Sequence, residues 1–479
     1  MPQSHENLAA FFRQRARENG PTPGILYRTE AGWESLSYAA WAARATTIAR
    51  GMSRLGVEPG DHVMVVGRTT PEFLLVSWGV ALAGAVLVPV SGSVAASDFS
   101  EMVAGTSPSM LFLGDPGLLV RFRDFAKLPP QRTVVMEAQC VQSDPGSGKP
   151  PFLRLEDVVT SRDEVVSLEQ LESHGGPGGN AVELDLRMAS RKPEDAAVII
   201  HTAGTIGEQK SVVLTNAGLL YQAHTLSSVL PIGPEDVQLL FLPLSHVLGY
   251  IAALTSIASG TPLALGEGMR TLLEDLRDVK PTFMVGVPRV YEKIIDKLVA
   301  GMGDFSAVWW ELYRRGLAAG RKVLDAQAEG RRPNPIAWAQ LEVARRSVFG
   351  RGREIFGGRM RFLISGGAPL SDRVAYTIMS FGIPLLNGSG SPSPRGPPTC
   401  SALTTCASAQ WDRLCPWSRR ALPRVAKYSS RGPVSCKVIW GTRPRLIRRW
   451  TKMVGCSPET WGESSPTAVC ASPVGARTS

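Results

Sequence analysis

Several things are scarce or missing in this chain, and each absence excludes something. The first 388 residues contain one cysteine, Cys140, so no disulfide framework can form there, and this usage fits a reducing compartment. The opening stretch, MPQSHENLAAFFRQRAREN, is polar and charged where a secretory signal needs an apolar core. No internal repeat is visible. There is no Walker A loop: that pattern needs Gly-Lys-Ser/Thr, and here Gln209 precedes Lys210. Charge of one sign is missing too, once its position is considered. The chain carries 52 Lys+Arg against 42 Asp+Glu, but 14 of the basic and 3 of the acidic residues follow Gly388, which leaves 38 against 39 before it. The net +10 therefore belongs to the tail alone, and the bulk charge does not point to a nucleic-acid partner.

Long apolar runs are few. Phe73–Val90 (FLLVSWGVALAGAVLVPV) is uncharged and just reaches transmembrane length. Thr70-Pro71-Glu72 before it is a helix start, with a capping threonine, a proline at the first turn and an early acid. Gly79 and Gly84 interrupt the run, and Val86–Val90 reads as a buried strand. A helix–glycine–strand unit is therefore expected rather than a membrane span.

Short apolar strands alternate with helical stretches. Val63–Val66, Val86–Val90, Met110–Leu113 and Ala196–Ile200 are expected strands, followed by Leu239–Leu242, Phe283–Val285 and Phe362–Ile364. This alternation predicts an α/β fold with mostly parallel sheets packed between helices. Residues 141–190, with SDPGSGKPP and HGGPGG, read as a surface excursion or inter-lobe loop.

One stretch, AVIIHTAGTIGEQKSVVLTN (197–216), joins a buried strand to a loop of small residues with two glycines, then Lys210. Glycines let consecutive N–H groups face one anion, and a lysine adds a point charge suited to phosphate. By itself the stretch is equally compatible with an ordinary hairpin-like turn. LPLSHVLGY (242–250), VGVPRVYEKI (285–294), MRFLISGGAPLS (360–371) and FGIPLLNG (381–388) follow in order. Together these segments resemble the AMP-forming adenylating enzymes, most closely the acyl-CoA synthetases for longer fatty acids. The resemblance covers roughly residues 6–388, including GVEPGDHVMVVGRTTPEFLLVSWGVALAGAVLVPV (56–90).

The resemblance implies a large N-terminal adenylating domain of two α/β subdomains over residues 1–388. It implies ligation of a fatty acid to CoA in two steps, with ATP, Mg²⁺ and CoA taking part. The carboxylate attacks the α-phosphate of ATP to give acyl-adenylate and pyrophosphate; the CoA thiolate then displaces AMP. By position, Thr202, Gly204, Thr205, Gly207 and Lys210 correspond to the family's phosphate loop, with departures at Ala203, Ile206, Gln209 and Ser211. His246 corresponds to a histidine beside the acyl pocket and nucleotide; its alternative is a hydrogen-bonded core histidine. Gly366, Gly367, Ala368 and Pro369 correspond to the loop that packs on adenine; their alternative is a tight turn after a strand. Arg289 and Tyr291 are expected to be structural. A cytoplasmic location follows, with at most peripheral membrane association and no nucleic-acid partner.

In the family, the Asn-Gly corresponding to Asn387-Gly388 continues as Tyr-Gly-Leu-Thr-Glu, where Tyr stacks on adenine and Thr-Glu serves phosphate and Mg²⁺. Here it continues as Ser389-Gly390-Ser391-Pro392-Ser393. Removing the A from TAC GGG CTC ACC GAG leaves TCG GGC TCA CCG AG, which reads Ser-Gly-Ser-Pro-Ser. Reading the tail one base earlier permits Gly-Pro-Gly-Val-Met-Gln and Gly-Tyr-Leu-Gly around Lys437–Gly441. It also permits Gly-Trp-Leu-Leu-Thr-Gly-Asp-Leu-Gly from Met453 to Gly462, both similar to family segments. Residues 389–479 are therefore read as an out-of-frame tail, irregular in structure, with no metal ligands retained and the family's small C-terminal catalytic domain absent. The tail holds six of the seven cysteines, but no CxxC pair and no histidine, so it offers no zinc spacing. On this reading the chain is a crippled ligase; the alternative is a non-catalytic nucleotide- or acyl-binding remnant.

Overall fold

Two seven-stranded sheets organise the computed structural model, which describes residues 7–123, 132–141, 152–159, 165–176, 181–202, 210–301 and 306–388. The expected irregular tail, and with it residues 389–479, lies outside the described residues, as do Gly204, Thr205 and Gly207. The first sheet runs Leu385–Asn387, Phe362–Ser365, Phe283–Gly286, Gln238–Leu240, Leu263–Leu265, Pro23–Thr29 and Gly32–Ser37 across its width. The second runs Lys210–Thr215, Ala196–Thr202, Val86–Ser91, His62–Gly67, Met110–Leu113, Thr133–Val135 and Val165–Ser167. Every neighbouring pair is parallel except Pro23–Thr29 with Gly32–Ser37 and Ala196–Thr202 with Lys210–Thr215. The expected α/β fold with mostly parallel sheets is what the chain forms.

The reason lies in the strand sequences. Met110–Leu113, Phe283–Gly286 and Phe362–Ser365 are buried at every position, as strands covered on both faces must be. Helices bring the apolar covering. Pro71–Leu82 starts as its sequence predicts, with Thr70 Oγ1 accepting from Phe73 N at 3.3 Å and proline in the first turn. It is buried almost all round because it lies between the sheet and the helix Tyr38–Arg54. Gly79 permits that crossing: a Cβ there would sit 2.8 Å from Ile48 Cγ2 and 3.2 Å from Ala45 O. The run Phe73–Val90 is thus helix, turn and strand. Among the described residues no helix is long and apolar enough to cross a membrane.

The stretch 141–190 corrects the sequence reading. Val165–Ser167 pairs in parallel with Thr133–Val135 and closes one edge of the second sheet. Leu168–His174 and Ala181–Ala189 are helices whose Leu168, Leu171, Leu184 and Met188 enter the main core. The glycine- and proline-rich flanks hid these short amphipathic pieces, whose apolar positions are only three or four residues apart. Leu239–Leu242 is a smaller correction: the strand ends at Leu240, and the chain then turns into a loop.

Leu171 tests the corrected segment. It is fully buried, so Leu171→Ala is expected to cost about 2–5 kcal/mol in denaturant unfolding. A loss below about 0.5 kcal/mol, the level of a surface site, would restore the excursion reading.

Candidate functional site

In parallel sheets, the loops that leave the carboxyl ends of the strands collect on one edge, and ligands bind there. In the first sheet this edge is set by register. Gly286 pairs with Ser365, and Ser365 with Asn387, so three strands end level. Gly366 N donates to Gly286 O at 3.0 Å and Gly388 N to Ser365 O at 2.7 Å, which extends the ladder one step beyond the strands. The Gly366–Pro369 loop therefore emerges next to Asn387 and Gly388. Gly367, Ala368 and Pro369 are exposed, and Gly366 is buried. Gly367 has φ +80°, a left-handed conformation that favours glycine, and a Cβ added there would come within 3.6 Å of Val287 and 3.9 Å of Leu248.

His246 stands at the N-cap of the helix Val247–Ser259 and is exposed, so it is not a core histidine. Leu248, two residues on, is the residue that faces Gly367, which places His246 beside the same crest. Ser245 Oγ, Ser365 Oγ and Asn387 Oδ1 are buried here with no hydrogen-bond partner among the described residues. Buried polar atoms are seldom left so. Tyr291, expected to be structural, is fully buried and donates to Ile364 O at 2.6 Å; Arg289 is exposed.

The second sheet brings the other expected residues. Thr202 and Lys210 pair with each other at the open ends of an antiparallel hairpin. Ala196–Thr202 runs parallel to Val86–Ser91, so the connection 203–209 leaves from the carboxyl edge of that sheet. His201, just before it, is held below the ordinary imidazole range by burial, and Ser211 Oγ lies 3.2 Å from its Nδ1.

One residue that sequence reasoning missed joins the two crests. Thr69 follows the strand His62–Gly67; its Oγ1 donates to Leu242 O at 3.3 Å and accepts from Leu244 N at 3.2 Å. Also missed is a small apolar cavity of about 20 Å³. Leu226 and Leu230 line it from the helix Asn216–Val229 and the residue after it, Ile251, Ala252 and Thr255 from the next helix, and Phe283, Val285 and Ile364 from the sheet. Gly388 stands at its crest end. No single motif could reveal it, because its walls come from separate elements.

Among the described residues no three His, Cys, Asp or Glu side chains come together, and Ser389–Ser393 carries no carboxylate. Glu137 pairs with Arg68 at 3.5 Å. Burial pushes its carboxyl up to about 7, against the pull of Arg68 and with Glu72, Asp115 and Glu267 adding to the rise.

The family model described as AMP-binding enzyme matches residues 12–391. Long-chain-fatty-acid–CoA ligase FadD15 of Mycobacterium tuberculosis is 27% identical over 401 residues, covering 81% of this chain and 60% of that protein. Long-chain-fatty-acid–CoA ligase ACSBG2 of Rattus norvegicus is 24% identical over 406 residues, covering 82% and 58%. The chain thus spans about 60% of the length of these relatives. The fold is that of the A domain of the carboxylic acid reductase from Segniliparus rugosus, solved with AMP and a co-purified carboxylic acid. The TM-score is 0.58 at 18% identity, over 81% of this chain and 61% of that one.

Glu137 carries a pH signature. A carboxyl raised in the folded state keeps a proton that the unfolded chain releases. Its stabilising contribution is complete below the unfolded value of 4.5 and is lost as pH rises through about 7. Glu137→Gln is expected to remove this loss, roughly 1–3 kcal/mol, and flatten the unfolding midpoint between pH 5 and 7.5. An unchanged pH profile would contradict the burial of this carboxyl.

Proposed function

The chain belongs to the AMP-binding enzyme family, and from that premise we propose that it is the nucleotide- and acyl-binding lobe of a fatty acid–CoA ligase whose chemistry is interrupted after Gly388. The observation that carries the acyl part is the apolar cavity that runs from Gly388 down one face of the first sheet. Its lining suits an alkyl chain, which would have to widen it on entry, with the carboxylate at the crest beside His246 and the Gly366–Pro369 loop.

Residues 1–388 form the N-terminal adenylating domain in this proposal. Thr202, Gly204, Thr205, Gly207 and Lys210 hold the phosphates of ATP, Lys210 as a point charge. Gly366, Gly367, Ala368 and Pro369 let the flat adenine approach backbone, with Asn387 and Gly388 at its edge. His246 orients the carboxylate or the forming acyl phosphate. Positioning of the two reactants is the main contribution of such a lobe, since holding them in line converts a bimolecular encounter into a local one. CoA thiolate is the acceptor in the second step, as the relatives' activity suggests.

The similarity to the family runs to residue 391, three residues past Gly388, although the chain continues to 479. That stop supports the reading of residues 389–479 as an out-of-frame tail. The tyrosine that would stack on adenine and the Thr-Glu pair are replaced by Ser389 and Pro392-Ser393. The chain then retains weak ATP binding and forms no acyl-CoA. The second reading, a binding protein without catalysis, rests on the same losses in a well-packed lobe.

Calorimetric titration of the full chain separates these readings. ATP is expected to bind weakly, and a saturated fatty acid to bind in the cavity. Ala252→Trp fills that cavity and is expected to weaken fatty-acid binding at least about tenfold while ATP binding is kept. Acyl-CoA formation at an ordinary ligase rate would refute the interrupted chemistry. Fatty-acid binding unchanged in Ala252→Trp would refute the cavity assignment.

A further inference from the structure

The helix Pro335–Ser347 has an apolar side that nothing in the described structure covers. It packs against the helix Ala307–Ala328, and its own Ala337, Leu341 and Ala344 are buried, spaced as one side of a helix. Ile336, Trp338, Ala339 and Val343 fall on the other half and are exposed. Ile336 is 70%, Trp338 53% and Val343 55% exposed, although Pro335–Ser347 is only 13 residues long. Two charged side chains share this half, Glu342 and Arg346, and they pair with each other at 3.0 Å. The outer face is therefore apolar, with its own charge neutralised.

Cations bracket that face. Arg331 and Arg332 precede the helix, Arg351 and Arg353 follow it, and all four are exposed. The neighbouring helix Ala307–Ala328 exposes Arg314, Arg315, Arg321 and Lys322. Residues 307–354 hold 10 of the 38 basic and 5 of the 39 acidic residues that precede Ser389, which leaves 28 against 34 for the rest of that region. Positive charge is thus gathered on the same pair of helices that bears the apolar face, in a lobe that is otherwise acidic. A nucleic acid or an acidic protein would use the cations and leave Ile336 and Val343 in water. A bilayer with anionic headgroups uses both: guanidinium groups meet lipid phosphates, an indole suits the interface, and aliphatic side chains reach the acyl boundary. The helix is 13 residues, ~20 Å, too short to cross a hydrocarbon core of ~30 Å, so it lies in the plane of the surface.

We propose that the outer face of Pro335–Ser347 docks the protein on an anionic lipid bilayer, with Ile336, Trp338 and Val343 entering the interface and Arg331, Arg332, Arg351 and Arg353 meeting lipid phosphates. The helix is already formed and held to the core by Ala337, Leu341 and Ala344, so docking orders no new segment. This surface is independent of the acyl-binding reading and of what the tail encodes.

The test is co-sedimentation of the full chain with vesicles of phosphatidylglycerol and phosphatidylcholine, and with phosphatidylcholine alone. The wild-type chain is expected to partition at least about tenfold more strongly to the anionic vesicles. Ile336→Ser, Trp338→Ser and Val343→Ser together are expected to weaken that partitioning at least about tenfold, with the unfolding midpoint unchanged, because all three side chains are exposed. The basic tail is present in both proteins, so the difference between them belongs to the helix. No binding of the wild-type chain to anionic vesicles would overturn the proposal without any variant. So would binding kept in the triple variant, or binding lost only in Arg331→Gln, Arg332→Gln, since either means attraction by charge without entry of the apolar face. A dimer of the wild-type chain that the triple variant breaks, with no vesicle binding, would assign the face to a second copy and overturn it too.

Discussion

Three backbone positions held level, Gly286, Ser365 and Asn387, are the constraint on which the rest of this structure depends. Their parallel register decides where the first sheet ends, and so where its loops leave. It places Gly366 and Gly388 one hydrogen bond above their neighbours. Parallel pairing is what permits this. In an antiparallel sheet, successive loops would leave from opposite edges and no single crest would gather them. A shift of one residue in Phe362–Ser365 would turn its buried face toward the opposite side and carry the Gly366–Pro369 loop away from Asn387. The core penalty for such a slip is large, because all four residues of that strand are buried.

The helices make the crest a pocket rather than a flat edge. Val247–Ser259 and Asn216–Val229 lie over one face of the first sheet and leave the cavity between them and Phe283, Val285 and Ile364. Thr69 then joins the crest of the second sheet to the Leu242–Leu244 loop through two hydrogen bonds on one hydroxyl. The segments that end at Thr202 and Ser365 thus belong to two separate sheets, which Thr69 helps to join. Among the described residues, buried polar atoms at Ser245, Ser365, Asn387 and Gln238 have no hydrogen-bond partner.

Much of the fold was legible because buried parallel strands are nearly continuous apolar runs. Met110–Leu113 and Phe283–Val285 could be placed to within a residue, and the Thr70-Pro71 start of the long apolar helix was marked by its cap. The segment around Leu168 and Leu184 was not legible, because its helices are short and sit between glycine-rich stretches that suggest a loop. The site was legible where backbone geometry imposes glycine, as at Gly367, and where residues stand together in sequence. Thr69 and the cavity residues were not, since their relation exists only in three dimensions. Tyr291 was read as structural from its motif, and its buried bond to Ile364 O gives the physical reason.

We propose that an adenylating lobe is intact to Gly388 and loses its reading frame there. Re-inserting one base at codon 389, so that translation continues as Tyr-Gly-Leu-Thr-Glu, and measuring acyl-CoA formation from fatty acid, ATP and CoA tests it most directly. The account predicts no thioester from the chain as it stands and ligase activity from the restored one. Ligase activity in the present chain, or none in a folded restored chain that binds both ATP and fatty acid, would contradict it.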